Sequence, residues 1–248
     1  MKDLSIIVVN YHTRDQLMEL VPFLLDELRE MDGELIVIEN GSDQVRDRFG
    51  PLNHPAVKLL VSPCNLGFAR ACNEGYRYAS GAYVLLLNSD CFPCPGSIKR
   101  QWEYMKHHPR CGACGMSLMD EQGEYQRFQY GALPGFGYLF MRRLKWWCLR
   151  QDMHSWRVKS PRNVGWVSGA ALMINRLAIK GNRLLSDRFF MYFEDVELGL
   201  RLHRSGWQVH ILPQARAVHR RHSNCGNERL RICHYKTSRI RFLRGILW

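Results

Sequence analysis

The 248-residue chain has no run of 18 apolar residues, and its most apolar stretch, 134-PGFGYLFMRRLKWWCLR-150, is broken by arginine and lysine. No membrane-spanning helix is predicted, since a span needs about 20 consecutive apolar residues. The beginning shows no charged segment followed by a short apolar one, so no secretory leader is expected. The nine cysteines fall at irregular positions rather than in a small disulfide framework, which makes a reducing cytosol the expected compartment. Internal repeats and low-complexity linkers are missing as well, and one domain is the simpler count. Acidic residues are few, 23 Asp and Glu against 35 Lys and Arg, for a net charge of +12. That shortage is local. Residues 139–162 carry seven Lys and Arg against Asp152, residues 216–248 carry nine against Glu228, and the remainder sums to −2. A near-neutral body with two basic, aromatic-bearing segments points to one particular anionic neighbour.

What is present alternates. The apolar runs 4-LSIIVVN-10, 34-ELIVIEN-40, 57-VKLLVS-62 and 83-YVLLLN-88 read as buried strands, with helical patterns between them at about 14–31 and 66–80. Pro22 is expected to kink or split the first helix. Strands joined by helical crossovers imply an α/β fold with a largely parallel sheet, whose ligands bind beyond the carboxyl ends of the strands. Asn10-Tyr11, Glu39-Asn40 and Asn88-Ser89-Asp90 should therefore share one rim. Further on, the pattern predicts a helix at 95–108, strands at 112–118 and 125–129, and an irregular insertion at 130–163. A strand at 164–174, a helix from Glu194 to Gly206 and a strand at 207–213 complete the series.

Three groups carry chemistry. A carboxylate at a strand end, as at Asp90, suits a divalent cation and a diphosphate, although Asn-Ser-Asp also favours a plain turn. Glu194 and Asp195 open a helix, where acids complement the helix dipole or, facing a cleft, accept a proton. His219 reads as a structural histidine or as a partner of Asp90 at a metal. A fourth pattern, Cys91-x2-Cys94-x16-Cys111-x2-Cys114, has zinc-site spacing, but 111-CGACGMSL-118 also reads as a strand in which cysteine serves as a small hydrophobe.

The series SIIVVNY (5–11), VIENGSD (37–43), NLGFARACNEG (65–75), LLLNSD (85–90), WVSGAALMI (166–174), FFMYFEDVELGLR (189–201) and AVH (217–219) resembles the family 2 inverting glycosyltransferases of GT-A fold. Within it the pattern is most similar to the rhamnosyltransferase-like enzymes of surface polysaccharide synthesis. The resemblance implies a single domain over 1–223, with a nucleotide-sugar half (1–110), an acceptor and catalytic half (111–223), and a basic amphipathic tail at 224–248. It implies donor contacts at Asn10, Glu39, Asn65, Arg70, Asn88, Asp90 and Gly169, and Mg²⁺ or Mn²⁺ at Asp90 and His219. It also implies that Glu194-Asp195 is the ED motif, with Asp195 as the base. The implied donor is a dTDP- or UDP-sugar, and the implied acceptor is a glycan or a lipid-linked glycan. Two positions depart from the family pattern: Glu39 stands where Asp is usual, and Asn88 replaces the first acid of the DXD motif.

Trp146, Trp147 and Trp156 among Arg142, Arg143 and Lys145, and the similar mixture in 229–248, suit the anionic inner face of a membrane. No nucleic-acid-binding motif accompanies the charge. A nucleotidyltransferase is disfavoured because 10-NYHTRDQ-16 stands where a glycine-rich phosphate loop would follow the first strand. A catalytically inactive nucleotide-sugar-binding relative remains the alternative.

Overall fold

The computed structural model describes residues 2–42, 50–133, 157–220 and 228–247. The aromatic and basic segment 138–156 lies outside the described residues. Strands β1 (Leu4–Asn10), β2 (Gly33–Asn40), β3 (Val57–Ser62) and β4 (Tyr83–Asn88) pair in parallel in the order β3-β2-β1-β4. Helices α1 (Arg14–Leu28) and α2 (Phe68–Tyr76) make two of the crossovers. Beyond β4 the sheet continues through β10 (Ala171–Asn175), β6 (Cys111–Met119), β11 (Gln208–His219) and β5 (Cys91–Pro93), with β8 (Arg162–Asn163) beside β11. Of these, β10, β5 and β8 run against the rest, so the sheet is mixed but mostly parallel, as expected. A separate ribbon joins β7 (Tyr130–Gly131) to β9 (Trp166–Val167).

The period-two pattern of β1 explains the layering. Leu4, Ile6 and Val8 face α1 and α3 (Ser97–His107), while Ile7 faces α2 and α4 (Glu194–Arg204). Helices thus cover both faces. Pro22 does not split α1: the helix runs unbroken through it. The missing N–H costs about 3 kcal/mol, and burial of Leu17, Leu20, Val21, Leu24 and Leu28 on the sheet offsets it.

Three other expectations shift for physical reasons. Residues 125–129 contribute only an isolated bridge, Met119 to Tyr125, because their polar side chains turn to the strand ends instead. The strand expected at 164–174 breaks at Ser168–Ala170, where the chain leaves the ribbon to join β4. Strand β11 continues past Pro213 to His219 because a register shift between Leu212 and Arg216 removes that residue's missing donor from the ladder.

Helix α5 (Glu228–Leu247) docks on the aromatic run before α4. Phe242 packs between Phe189 and Phe193, His234 stacks on Phe190 at 4.6 Å, and the Ser238 hydroxyl donates to Met191 O at 2.8 Å. Leu230, Ile232 and Ile240 of the same helix are exposed.

Candidate active site

The carboxyl ends of β1 and β4 open a crevice where the strand order turns back, the usual place for a ligand in such sheets. Asn10 and Glu39 lie at its floor, both fully buried, and Asn10 Nδ2 donates to Glu39 Oε2 at 2.6 Å. Glu39 Oε1 accepts from the Ser42 backbone N–H at 2.9 Å and from the Ser42 hydroxyl. Glu39 is therefore a buried carboxylate held in place by hydrogen bonds, which offset its loss of water. The longer side chain stays within reach of Asn10. Thr13 donates to Asn10 Oδ1 at 2.9 Å, so the 2.6 Å contact between Thr13 and Ser89 has the Ser89 hydroxyl as donor. That chain ties the end of β1 to the end of β4. On the β2 side, Asn40 Nδ2 donates to Asn65 Oδ1 at 3.0 Å, and Asn65 Oδ1 also accepts from Gly67 N at 2.9 Å. Gly67 has φ +79°, and a Cβ there would meet Phe190 O at 2.4 Å, so glycine is required where α2 begins.

Asp90 and His219 meet because β5 pairs antiparallel with the end of β11, with Cys91 opposite His219. Asp90 Oδ1 lies 3.3 Å from His219 Nε2, and Arg220 N donates to Asp90 O at 2.8 Å. Gln126 orients the ring. Its Nε2 donates to His219 O at 2.7 Å; that carbonyl only accepts, so Gln126 Oε1 must face His219 Nδ1, at 3.0 Å. Nδ1 therefore carries a proton, which leaves Nε2, the ring nitrogen facing Asp90, as the one that could ligate a cation. Two donor atoms at cis positions of an octahedral cation with bonds of about 2.1 Å are about 3.0 Å apart, close to the separation found here. The pair fits Mg²⁺ or Mn²⁺. Among the described residues no group of three or more His, Cys, Asp or Glu converges, so diphosphate and water would complete the shell. An open groove of about 690 Å³, lined by Asp15, Glu19, Asp120, Glu121 and Gln126, leads away from His219.

Asp195, in the first turn of α4, is tied to the segment that leads into β10. Its Oδ1 accepts from Val196 N at 2.8 Å and its Oδ2 from Gly169 N at 3.4 Å. The next residue, Ala170, accepts from Asn88 N at 3.0 Å, so the ED motif is one short link from the strand that delivers Asp90. A Cβ on Gly169 would come within 3.0 Å of the Phe68 ring. Tyr192 and Phe193 both adopt φ +69° immediately before Glu194. Left-handed backbone costs of order 1–3 kcal/mol per residue and persists only where packing enforces it. Here helix α5 does so, with Tyr235 against both rings.

Burial pushes both acids above the ordinary carboxylate range, Glu194 further because the Asp195 charge adds to it, while backbone N–H groups oppose the rise at Asp195. Asp195 keeps part of its surface accessible; Glu194 is 6% exposed, and its Oε2 has no hydrogen-bond partner among the described residues. Glu194's raised pKa favours the folded state below its unfolded value near 4.5 and costs stability as pH rises above it. Glu194→Gln is therefore expected to gain thermal stability relative to the parent as pH rises from about 5 to 9. Melting curves whose difference is flat across that range would show that Glu194 carries no such burial cost.

The two cysteine pairs do not meet. Cys111 lies beside Gln208 and Cys91 beside His219, at opposite ends of the 12-residue β11, roughly 30 Å apart at 3.3 Å per residue. Cys91, Cys111 and Cys114 are buried among apolar side chains, the hydrophobic role also expected for the second pair. Arg70 is not gathered with Asn10 and Glu39; it is exposed and lines a separate pocket with Arg188. Gln126, Thr13 and Ser42 escaped the sequence reading because each acts through a partner distant in the chain or on an unremarkable loop.

The family model for glycosyl transferase family 2 matches residues 5–161. The chain belongs to that family. The glycosyltransferase is 29% identical over 213 residues to the N-acetylglucosaminyl-diphospho-decaprenol L-rhamnosyltransferase of Mycobacterium tuberculosis, covering 78% of this chain and 68% of the relative. It is 24% identical over 152 residues to rhamnosyltransferase WbbL of Escherichia coli, covering 60% and 56%. Its fold is GT-A. It superposes on GalNAc-T7 with UDP, GalNAc and Mn²⁺ at a TM-score of 0.62 and 14% identity, covering 88% of this chain and 44% of that one. For the mannosyltransferase PcManGT of Pyrobaculum calidifontis with GDP-Man and Mn²⁺ the values are 0.60, 16%, 90% and 58%. The chain thus spans less than two thirds of either solved chain.

Proposed function

We propose that this glycosyltransferase moves a sugar, with inversion, from a dTDP- or UDP-sugar to a hydroxyl of a glycan or lipid-linked acceptor in surface polysaccharide synthesis. The observation that carries the reading is the convergence of Asp195, through Gly169 and Ala170, on the end of the strand that brings Asp90 to His219. Asp195 takes the proton of the acceptor hydroxyl, whose oxygen attacks the anomeric carbon from the face opposite the diphosphate. Asp90 and His219 would hold Mg²⁺ or Mn²⁺, which supplies charge neutralisation for the departing nucleoside diphosphate. The buried Asn10–Glu39 pair and the Asn40–Asn65 pair hold the rim on which the nucleotide lies. The mycobacterial relative's name, with its diphospho-decaprenol acceptor, favours a lipid-linked acceptor and a peripheral place at the inner face of the membrane. No helix among the described residues is long and apolar enough to cross a membrane.

A thermal-shift panel of nucleotide-sugars with Mn²⁺, followed by a transfer assay, tests the reading. A true donor should raise the melting temperature by mass action, and stabilisation without turnover would leave a binding relative instead. Gln126 provides a narrower check. Gln126→Leu should weaken Mn²⁺ binding about 10–100-fold, the usual scale for partners that orient a ligand, and Gln126→Glu should restore much of it by accepting from Nδ1–H. Equal Mn²⁺ titrations in parent and Gln126→Leu would detach Gln126 from the metal.

A further inference from the structure

A second pocket, of about 440 Å³, lies on the flank of the aromatic run and is walled by Arg70 of α2, Asp187, Arg188, and Arg241 and Arg244 of α5. We propose that this arginine pocket binds a diphosphate group and holds the phosphate-bearing end of the acceptor. The assignment to the acceptor rests on the transfer reaction proposed above; the anion site stands on its own geometry.

The four guanidinium groups are exposed, so water and salt screen their mutual repulsion, and an anion bound among them would relieve what remains. Asp187 does not: its Oδ1 accepts from Asn73 Nδ2 at 2.6 Å and its Oδ2 lies 3.2 Å from Arg183 Nη1. Among the described residues no carboxylate pairs with Arg70, Arg188, Arg241 or Arg244. Arg241 spends one nitrogen on Arg188 O at 2.9 Å, which fixes the spacing of α5 from the loop and leaves its remaining donors for a ligand. Planar guanidinium forks bind phosphate oxygens in pairs, so several around one cavity suit a group with two phosphates.

The position suits an acceptor. Arg188 precedes Asp195 by seven residues on the same run, and Phe68 N donates to Phe190 O at 2.8 Å, tying the first turn of α2 to it. Exposed Ile240 directly precedes Arg241 on α5, and exposed Leu230 and Ile232 lie about three turns earlier on the same helix, apolar surface of the kind a phosphate carried on a lipid would require.

Calorimetry with inorganic diphosphate and the full chain, without divalent metal, tests the site. Arg241→Gln/Arg244→Gln, and Arg244→Gln alone, should weaken binding about tenfold or more. The control Lys236→Gln/Arg239→Gln removes the same charge from the same helix outside the pocket and should match the parent; equal weakening in both pairs, or in neither, overturns the site. Prior saturation with dTDP or UDP and Mn²⁺ should leave diphosphate binding in place, and displacement would return the pocket to the donor. Phosphatidylcholine vesicles bearing a polyprenyl diphosphate should retain the parent more than the Arg241→Gln/Arg244→Gln variant. The same arginine-dependent retention on phosphatidylglycerol vesicles of equal charge would overturn diphosphate recognition. A chain that passes these tests but transfers no sugar would sink the transfer reading alone.

Discussion

Asp195→Asn is expected to lower sugar transfer by about 10²–10⁴-fold, the range supplied by a positioned general base, while donor-induced thermal stabilisation stays at the parental level. Asparagine has nearly the same shape, and its carbonyl oxygen can still accept one of the backbone bonds that Gly169 N and Val196 N give the carboxylate. What it loses is the capacity to take a proton. Near-parental turnover in this variant would remove Asp195 as the base. The pH profile adds a second readout. A base works ionised, and burial raises Asp195, so kcat/KM of the parent should fall with falling pH at a value above the ordinary 3.8 of an aspartate. Glu194, raised further, is the acid of the pair that holds its proton longer, which leaves Asp195 the one ionised first. The acid limb should vanish in the residual activity of Asp195→Asn, and its persistence there would assign it to another group.

The parallel half of the fold was legible because its apolar runs are too short for core helices and sit between helical patterns, so β1, β3 and β4 match the predicted spans. The strand ends could be read as a shared rim for the same reason. Where the pattern misled, the competing signal was tertiary. Residues 125–129 read as a strand, yet Gln126 and Gln129 are buried to satisfy His219 and Leu118 N, and no local period encodes that. Residues 166–174 are apolar apart from Ser168 and Gly169, so that pair alone marks the break between β9 and β10. Glu39 departs from the family's usual Asp, and its buried bond to Asn10 becomes visible only with both strands in register. The left-handed Tyr192 and Phe193 carry no glycine or asparagine to announce them; the enforcing side chains lie more than 40 residues away on α5.

Asp90→Ala should reduce Mn²⁺ affinity, measured by calorimetry with dTDP or UDP present, by more than the 10–100-fold that loss of an outer partner typically costs. With Asn88 in place of the first acid, Asp90 is the one carboxylate at the β4 end, and His219 is its only protein companion at 3.3 Å among the described residues. A site with two protein donors loses half of them, and the only negative one, in this variant. Asp90→Asn separates charge from geometry: the amide oxygen can still face a cation, so an intermediate loss is expected. His219→Ala should cost less for Mg²⁺ than for Mn²⁺, since imidazole nitrogen is the softer donor and the harder ion gains less from it. Three isotherms superposing on the parent's would reduce the Asp90–His219 contact to an ion pair and remove both residues from the metal site.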